Sequence, residues 1–146
     1  MNRNDFTDLA AKGVLVFGDL DFRGKCPREG VEQATFFNRL RREYPDSLGL
    51  LALHPKNEGQ LRGGQFKGLA RDKAEGMMPG ACDIIIPARI AFACEMKRQD
   101  YTQSAWQDGQ REYLTAAAGQ GAFACVAFGY KAAWQALEYW INHVAE

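Results

Sequence analysis

The sequence predicts an α/β domain in which helices flank a mixed central sheet, and three observations carry that prediction. Residues 83–86 and 91–97 read as two short strands separated by a tight link, which favours an antiparallel hairpin. Residues 122–128 form an unbroken apolar run, Ala-Phe-Ala-Cys-Val-Ala-Phe, suited to the centre of a sheet. Residues 31–44 and 131–144 each carry apolar side chains at spacings of three and four, the mark of a helix with one buried face.

In chain order, residues 13–18, Gly-Val-Leu-Val-Phe-Gly, form a short β-branched segment bounded by glycines and are expected to be a strand. Residues 22–30 contain Gly24, Pro27 and Gly30 and read as a loop. The helix that follows aligns Val31, Ala34, Phe37, Leu40 and Tyr44, and Pro45 ends it. Glu32 lies in its first turn, where a carboxylate suits the helix dipole. Residues 48–53 are apolar without helical period and are expected to be a strand closed by His54-Pro55. Residues 57–68, rich in glycine and basic side chains and including Glu58, read as a loop, and residues 67–75 as a short helix that stops at Gly76. Glycines and Pro79 turn the chain before Asp83, which opens a strand that Pro87 closes. A helix is expected over residues 104–118, with Ser104 as its N-cap, although Ala105, Trp106, Tyr113, Leu114 and Ala117 keep helical phase only roughly. Gly119 and Gly121 end it, and the central strand and closing helix follow.

Bulk properties bound the function. The chain has 146 residues, enough for one domain with one core, and is 47% hydrophobic and 25% charged, which excludes a disordered segment. Its net charge is zero, so any surface for a polyanion must be local. The four cysteines form no CxxC pair and lie away from His54 and His143 at any zinc-binding spacing, so they read as small buried hydrophobes in a reducing compartment. With no leader-like start and no apolar run near the ~18 residues of a membrane span, a soluble cytoplasmic protein is expected. Trp106, Trp134 and Trp140 read as core or interface aromatics, and Asp19 and Asp21 as turn residues.

The chemistry concentrates in Asp83, Glu95 and Lys97. Alternation on a strand puts Glu95 and Lys97 on one face, opposite Phe92, Cys94 and Met96. In the hairpin the start of the first strand meets the end of the second, bringing Asp83 beside them. Two carboxylates on neighbouring strands can share a divalent cation, and a lysine on the same face can bind a phosphate or orient an attacking water. A cross-strand salt bridge between Asp83 and Lys97 accounts for the same spacing without catalysis.

Gly80-Ala-Cys-Asp83, eleven intervening residues and Glu95-Met-Lys97 resemble the motif of the PD-(D/E)XK nucleases. More narrowly, the chain resembles the VRR-NUC family, in the standalone form carried by bacteriophages. Matching segments fall in the family's order: Val31-Glu-Gln-Ala-Thr-Phe-Phe-Asn38 with Glu43-Tyr-Pro45, then Pro55-Lys-Asn-Glu-Gly59, Gly76-Met-Met-Pro-Gly80, the motif itself, and Gln110-Arg-Glu-Tyr-Leu114. The likeness runs from Gly30 to Trp140 and makes residues 1–29 a strand-and-loop extension of a single domain.

The resemblance implies a restriction-endonuclease-like fold and a metal-dependent endonuclease acting on DNA. It assigns Asp83 and Glu95 as ligands of Mg²⁺ or Mn²⁺, with the Met96 carbonyl as a further ligand. It assigns Lys97 to the scissile phosphate or the nucleophilic water, and Gln110, with Gln107 as its alternative, to orienting that water or Lys97. Glu32 becomes an outer carboxylate or a ligand of a second ion. Arg62, Lys67, Arg71 and Lys73 are the expected DNA-contacting cluster, with Arg39, Arg41 and Arg42 as another path. A homodimer acting on branched or four-way DNA is expected, with residues 13–22 either pairing across the dimer or adding an edge strand to their own sheet. A nuclease acting on RNA and a catalytically silent DNA- or protein-binding domain are the alternatives.

Overall fold

The structure, a computed structural model, describes residues 1–55 and 66–144. Four strands form one sheet in the order β1-β4-β3-β2: β1 (Leu15–Phe17), β2 (Ile84–Ile86), β3 (Phe92–Lys97) and β4 (Phe123–Phe128). β2 and β3 are antiparallel, whereas β4 runs parallel to both β3 and β1, so the sheet is mixed. The unbroken apolar run of β4 fits its interior place, and all six of its residues are buried. β1 joins its own sheet as an edge strand through Leu15↔Cys125 to Phe17↔Ala127.

Helices cover both faces. On one, α2 (Glu29–Glu43) and α6 (Tyr130–His143) bring Phe36, Leu40, Trp134, Leu137 and Trp140 against Phe92, Cys94 and Met96. On the other, α1 (Arg3–Ala11) and α5 (Gln110–Gly119) bring Leu9 and Leu114 against Ala93 and Ala124. Strand alternation thus sends even-numbered β3 residues into the larger core and leaves Glu95 and Lys97 on the α5 face. Cys82, Cys94 and Cys125 are buried free thiols and Cys26 is half-buried.

Three expectations change. Residues 48–53 are not a strand: Leu48–Leu51 is a single helical turn, α3, closing back on α2 through Gly49 N to Tyr44 O at 2.8 Å. A Cβ at Gly49 would lie 2.6 Å from that carbonyl, so glycine allows the turn that the strand reading missed. Only Leu53 reaches the sheet, bridging Ile85. Nor does a helix begin at Ser104. Tyr101–Gln103 is a 3-10 turn, and α5 begins at Gln110, after Gly109 in the left-handed region (φ +86°). The irregular phase over residues 104–118 reflects this break, which breaks the helical twist before Gln110. Finally, α1 was not foreseen. Asn2 and Asp5 make a reciprocal capping box, and Phe6 and Leu9 bury its apolar side.

The helix expected over residues 67–75 is present as α4 (Phe66–Ala74). Lys56, Asn57, Glu58, Gly59 and Arg62, with most of the expected loop, lie outside the described residues, as does the side chain of Lys67. Among the described residues no helix is long and apolar enough to cross a membrane.

Candidate active site

The β2–β3 register pairs Ile84 with Cys94, so the next pair outward is Asp83 and Glu95. Asp83 Oδ2 accepts a 2.9 Å bond from Met96 N, which fixes its carboxylate at the end of β3. Glu95 and Lys97 are each only 1% exposed, and Lys97 Nζ lies 3.3 Å from Glu95 Oε1. The ion pair in the structure is therefore Lys97–Glu95, not the Lys97–Asp83 bridge that spacing also allowed.

Gln110, in the first turn of α5, ties the group together. Its Nε2 donates to Glu95 Oε1 at 2.6 Å, and its Oε1 accepts from Lys97 Nζ at 2.8 Å and from Gln107 N at 2.8 Å. Gln107 contributes its main chain and Gln110 its side chain. Lys97 Nζ also donates to Ala105 O at 2.9 Å and lies 5.2 Å from the centre of the Trp106 ring. Trp106 Nε1 donates in turn to Asp5 Oδ2 at 3.2 Å, so the unforeseen α1 helps hold the cover over the lysine.

Burial and mutual repulsion dominate the electrostatics. Burial first, then the charge of Asp83, hold the Glu95 carboxyl well above the usual carboxylate range, and Lys97 offsets only part of this. Asp83 is also raised, chiefly by burial and slightly by Glu29, against the opposing effects of the Met96 N–H bond, His54 and Lys97. Among the described residues, Glu95 Oε2 is buried with no hydrogen-bond partner. An unpartnered buried carboxylate oxygen is costly, and a cation would remove both that cost and the repulsion.

The donor set fits a hard divalent ion. Among the described residues no three His, Cys, Asp or Glu side chains gather, so an ion here would rest on the Asp83 and Glu95 carboxylates and on main-chain oxygen. The Met96 carbonyl is oriented for this. Ala91 O and Lys97 O accept from Phe123 N and Gly129 N of the β4 side. By strand alternation Met96 faces the opposite way, toward Asp83, to which its N–H is bonded.

Among the described residues Glu32 makes none of these side-chain bonds. Its Oε2 accepts a bond from Tyr130 N at the start of α6. The acid of α2 that influences Asp83 is Glu29, in the same first turn, whose Oε1 accepts from Ser104 Oγ at 2.6 Å. Sequence reasoning passed over Glu29, although it shares the first helical turn with Glu32. It also left His54 as isolated, yet His54 Nδ1 lies 2.8 Å from the Asp83 carbonyl. No spacing signal marks that contact, because the Leu53–Ile85 bridge makes it. Of the expected DNA contacts, Arg71 is exposed and pairs with Glu75 at 3.1 Å, and Lys73 is exposed on α4. Arg39 is engaged internally, bonding the Tyr130 hydroxyl at 2.7 Å and lying 4.0 Å from the centre of the Trp134 ring.

Two glycines place the site. Gly80 (φ +87°) and Gly109 meet backbone to backbone, and a Cβ on Gly80 would lie 2.3 Å from the Gly109 carbonyl carbon. This contact sets the turn before Asp83 against the start of the helix bearing Gln110. Gly80→Ala is therefore expected to cost more than ~2 kcal/mol from left-handed strain and the clash together. A urea midpoint equal to that of the parent protein would show that the close approach is dispensable.

A mixed four-stranded sheet between two helical layers is the arrangement of a restriction-endonuclease-like α/β fold. A solved structure described as a VRR_NUC domain protein is similar to this chain over 82% of its length and 92% of its own, with a TM-score of 0.66 and 21% sequence identity. That likeness gives the chain the VRR-NUC fold. No protein-family model matches the sequence, and no curated protein does either.

Proposed function

We propose that this protein is a metal-dependent nuclease that hydrolyses DNA phosphodiester bonds. The observation that carries the reading is the buried Glu95 Oε2, unpartnered among the described residues, beside Asp83 and next to a lysine held at two points. Asp83, Glu95 and the Met96 carbonyl would hold Mg²⁺ or Mn²⁺. Bound there, the ion supplies positive charge that polarises a phosphate and lowers the pKa of a water. Lys97 stabilises negative charge building on the phosphate oxygens. Gln110 keeps Lys97 and Glu95 aimed at the same point by bonding both.

Branched DNA is the substrate we assign, with a homodimer supplying two sites related by a two-fold axis for paired cuts. The protein would act in the cytoplasm of a bacterial host, as an enzyme of the bacteriophage type. The experiment is cleavage of linear, flapped and four-way DNA, with RNA alongside, in Mg²⁺, Mn²⁺ or EDTA, together with light scattering. Cleavage that persists in EDTA would overturn the metal reading, and exclusive cleavage of RNA the substrate. A monomer that makes paired nicks across a four-way junction would overturn the dimer.

The salt dependence of binding locates the DNA path. Neutralising any one phosphate-contacting residue among Arg62, Lys67, Arg71 and Lys73 is expected to lower the slope of log K against log salt by about one. An unchanged slope after all four are replaced would exclude that cluster.

A further inference from the structure

A groove of about 480 Å³, lined by Gly30, Gln33, Ala34, Phe37 and Arg41 of α2 and by His54, adjoins Asp83 through His54. We propose that it binds one nucleotide of the DNA strand flanking the scissile phosphate, an inference that rests on the nuclease reading above.

Three observations converge. First, the groove adjoins the site. His54, one of its walls, bonds the main-chain carbonyl of Asp83 at 2.8 Å. Because a carbonyl only accepts, Nδ1 carries the proton and Nε2 is left to interact with a ligand. Among the described residues Nε2 has no partner. Second, the charge is right for a phosphodiester. Among the described residues the groove is lined by the Arg41 guanidinium and by no carboxylate. Arg41 is exposed and, among the described residues, makes no ion pair, unlike its neighbour Arg39. Third, the remaining walls suit a base. The Arg41 guanidinium carbon sits 5.2 Å from the centre of the Phe37 ring, and Phe37 and Ala34 give the groove its apolar lining. A planar guanidinium offers both phosphate bonds and a stacking surface, and Gln33 offers an amide for a base edge. The volume falls within the range of small-ligand sites.

Ala34 and Arg41 are exposed helix positions, so substitutions there leave the core intact. The test uses the full chain carrying Asp83→Asn, so that bound DNA is not cut, and reads fluorescence anisotropy of a labelled branched oligonucleotide. Arg41→Ala is expected to weaken binding about tenfold and to lower the salt slope by about one. Ala34→Trp, which fills the groove without changing charge, is expected to weaken binding to a similar extent. With Asp83 intact, each variant is expected to raise KM for DNA cleavage and leave kcat nearly unchanged. If Arg41→Ala weakens binding and Ala34→Trp does not, the arginine acts as a distant charge and the groove proposal is overturned. Unchanged affinity and KM in both variants, with cleavage retained, overturn the proposal and leave the nuclease reading standing. A parent protein that neither binds nor cuts DNA overturns both.

Discussion

Asp83→Asn is expected to abolish DNA cleavage while leaving the folded protein at least as stable as the parent in EDTA. Asparagine keeps the size of the side chain and an oxygen to accept the Met96 N–H bond. What it removes is one of the two carboxylates proposed to hold the ion and the charge that helps raise Glu95. The stability effect has a defined sign. Asp83 and Glu95 are both raised in the folded protein, so in the metal-free state their contribution is present below the ordinary carboxylate range. It is lost as pH rises through the raised values. The substitution removes part of that loss near neutral pH. In the parent, Mg²⁺ at one hundred times its dissociation constant is expected to add about 2.7 kcal/mol of stability by mass action, and the variant to lose most of this gain. Thermal melts with Mg²⁺ and with EDTA read both effects. Parental cleavage rates in Asp83→Asn would remove Asp83 from the site altogether.

Lys97→Ala is the second large effect, an expected fall in turnover of roughly 10²-fold or more with little change in metal affinity, the scale of a lost electrostatic stabiliser. The lysine is buried against Glu95, and breaking a buried pair costs about 3–5 kcal/mol when the remaining charge stays. Glu95 can limit that cost by taking up a proton, since its carboxyl is already held well above the usual range. Lys97→Met, which fills the same channel without the ammonium, separates lost packing from lost charge. Equal loss of turnover in both variants, measured at saturating metal on protein shown to be folded, marks the charge as the cause. Full turnover with weakened metal binding would instead make Lys97 a structural partner of the carboxylates.

Much of the frame was legible because it depends on local pattern. The unbroken apolar run of residues 123–128 announced an interior strand, and Phe37 and Leu40 of the expected α2 stripe are buried, whereas Val31 and Ala34 of that stripe are exposed and Phe36 is buried in their place. Alternation alone put Glu95 and Lys97 on one face, and the tight link between β2 and β3 brought Asp83 to them. Errors arose where short apolar segments have no decisive period. Residues 48–51 became a helical turn because Gly49 can close against Tyr44, and the α5 start moved to Gln110 because Gly109 takes the left-handed conformation. α1 was written in the Asn2–Asp5 box, but a nine-residue helix with two buried side chains gives little periodicity.

The sequence by itself determined the layered class of this protein and the charged trio at its centre, since strand and helix periods follow from the backbone and a hairpin leaves one way to align its ends. Only the tertiary structure decided the partners of that trio. Burial on the α5 face turned Lys97 toward Glu95 and Gln110, and the Gly80–Gly109 contact brought Gln110 within reach. Tyr130 N at the start of α6 holds Glu32, and Ser104 holds Glu29. The single bridge at Leu53 set His54 against Asp83. These are contacts between segments distant in the chain, and their cause is which surfaces must be buried together, a condition that no local spacing encodes.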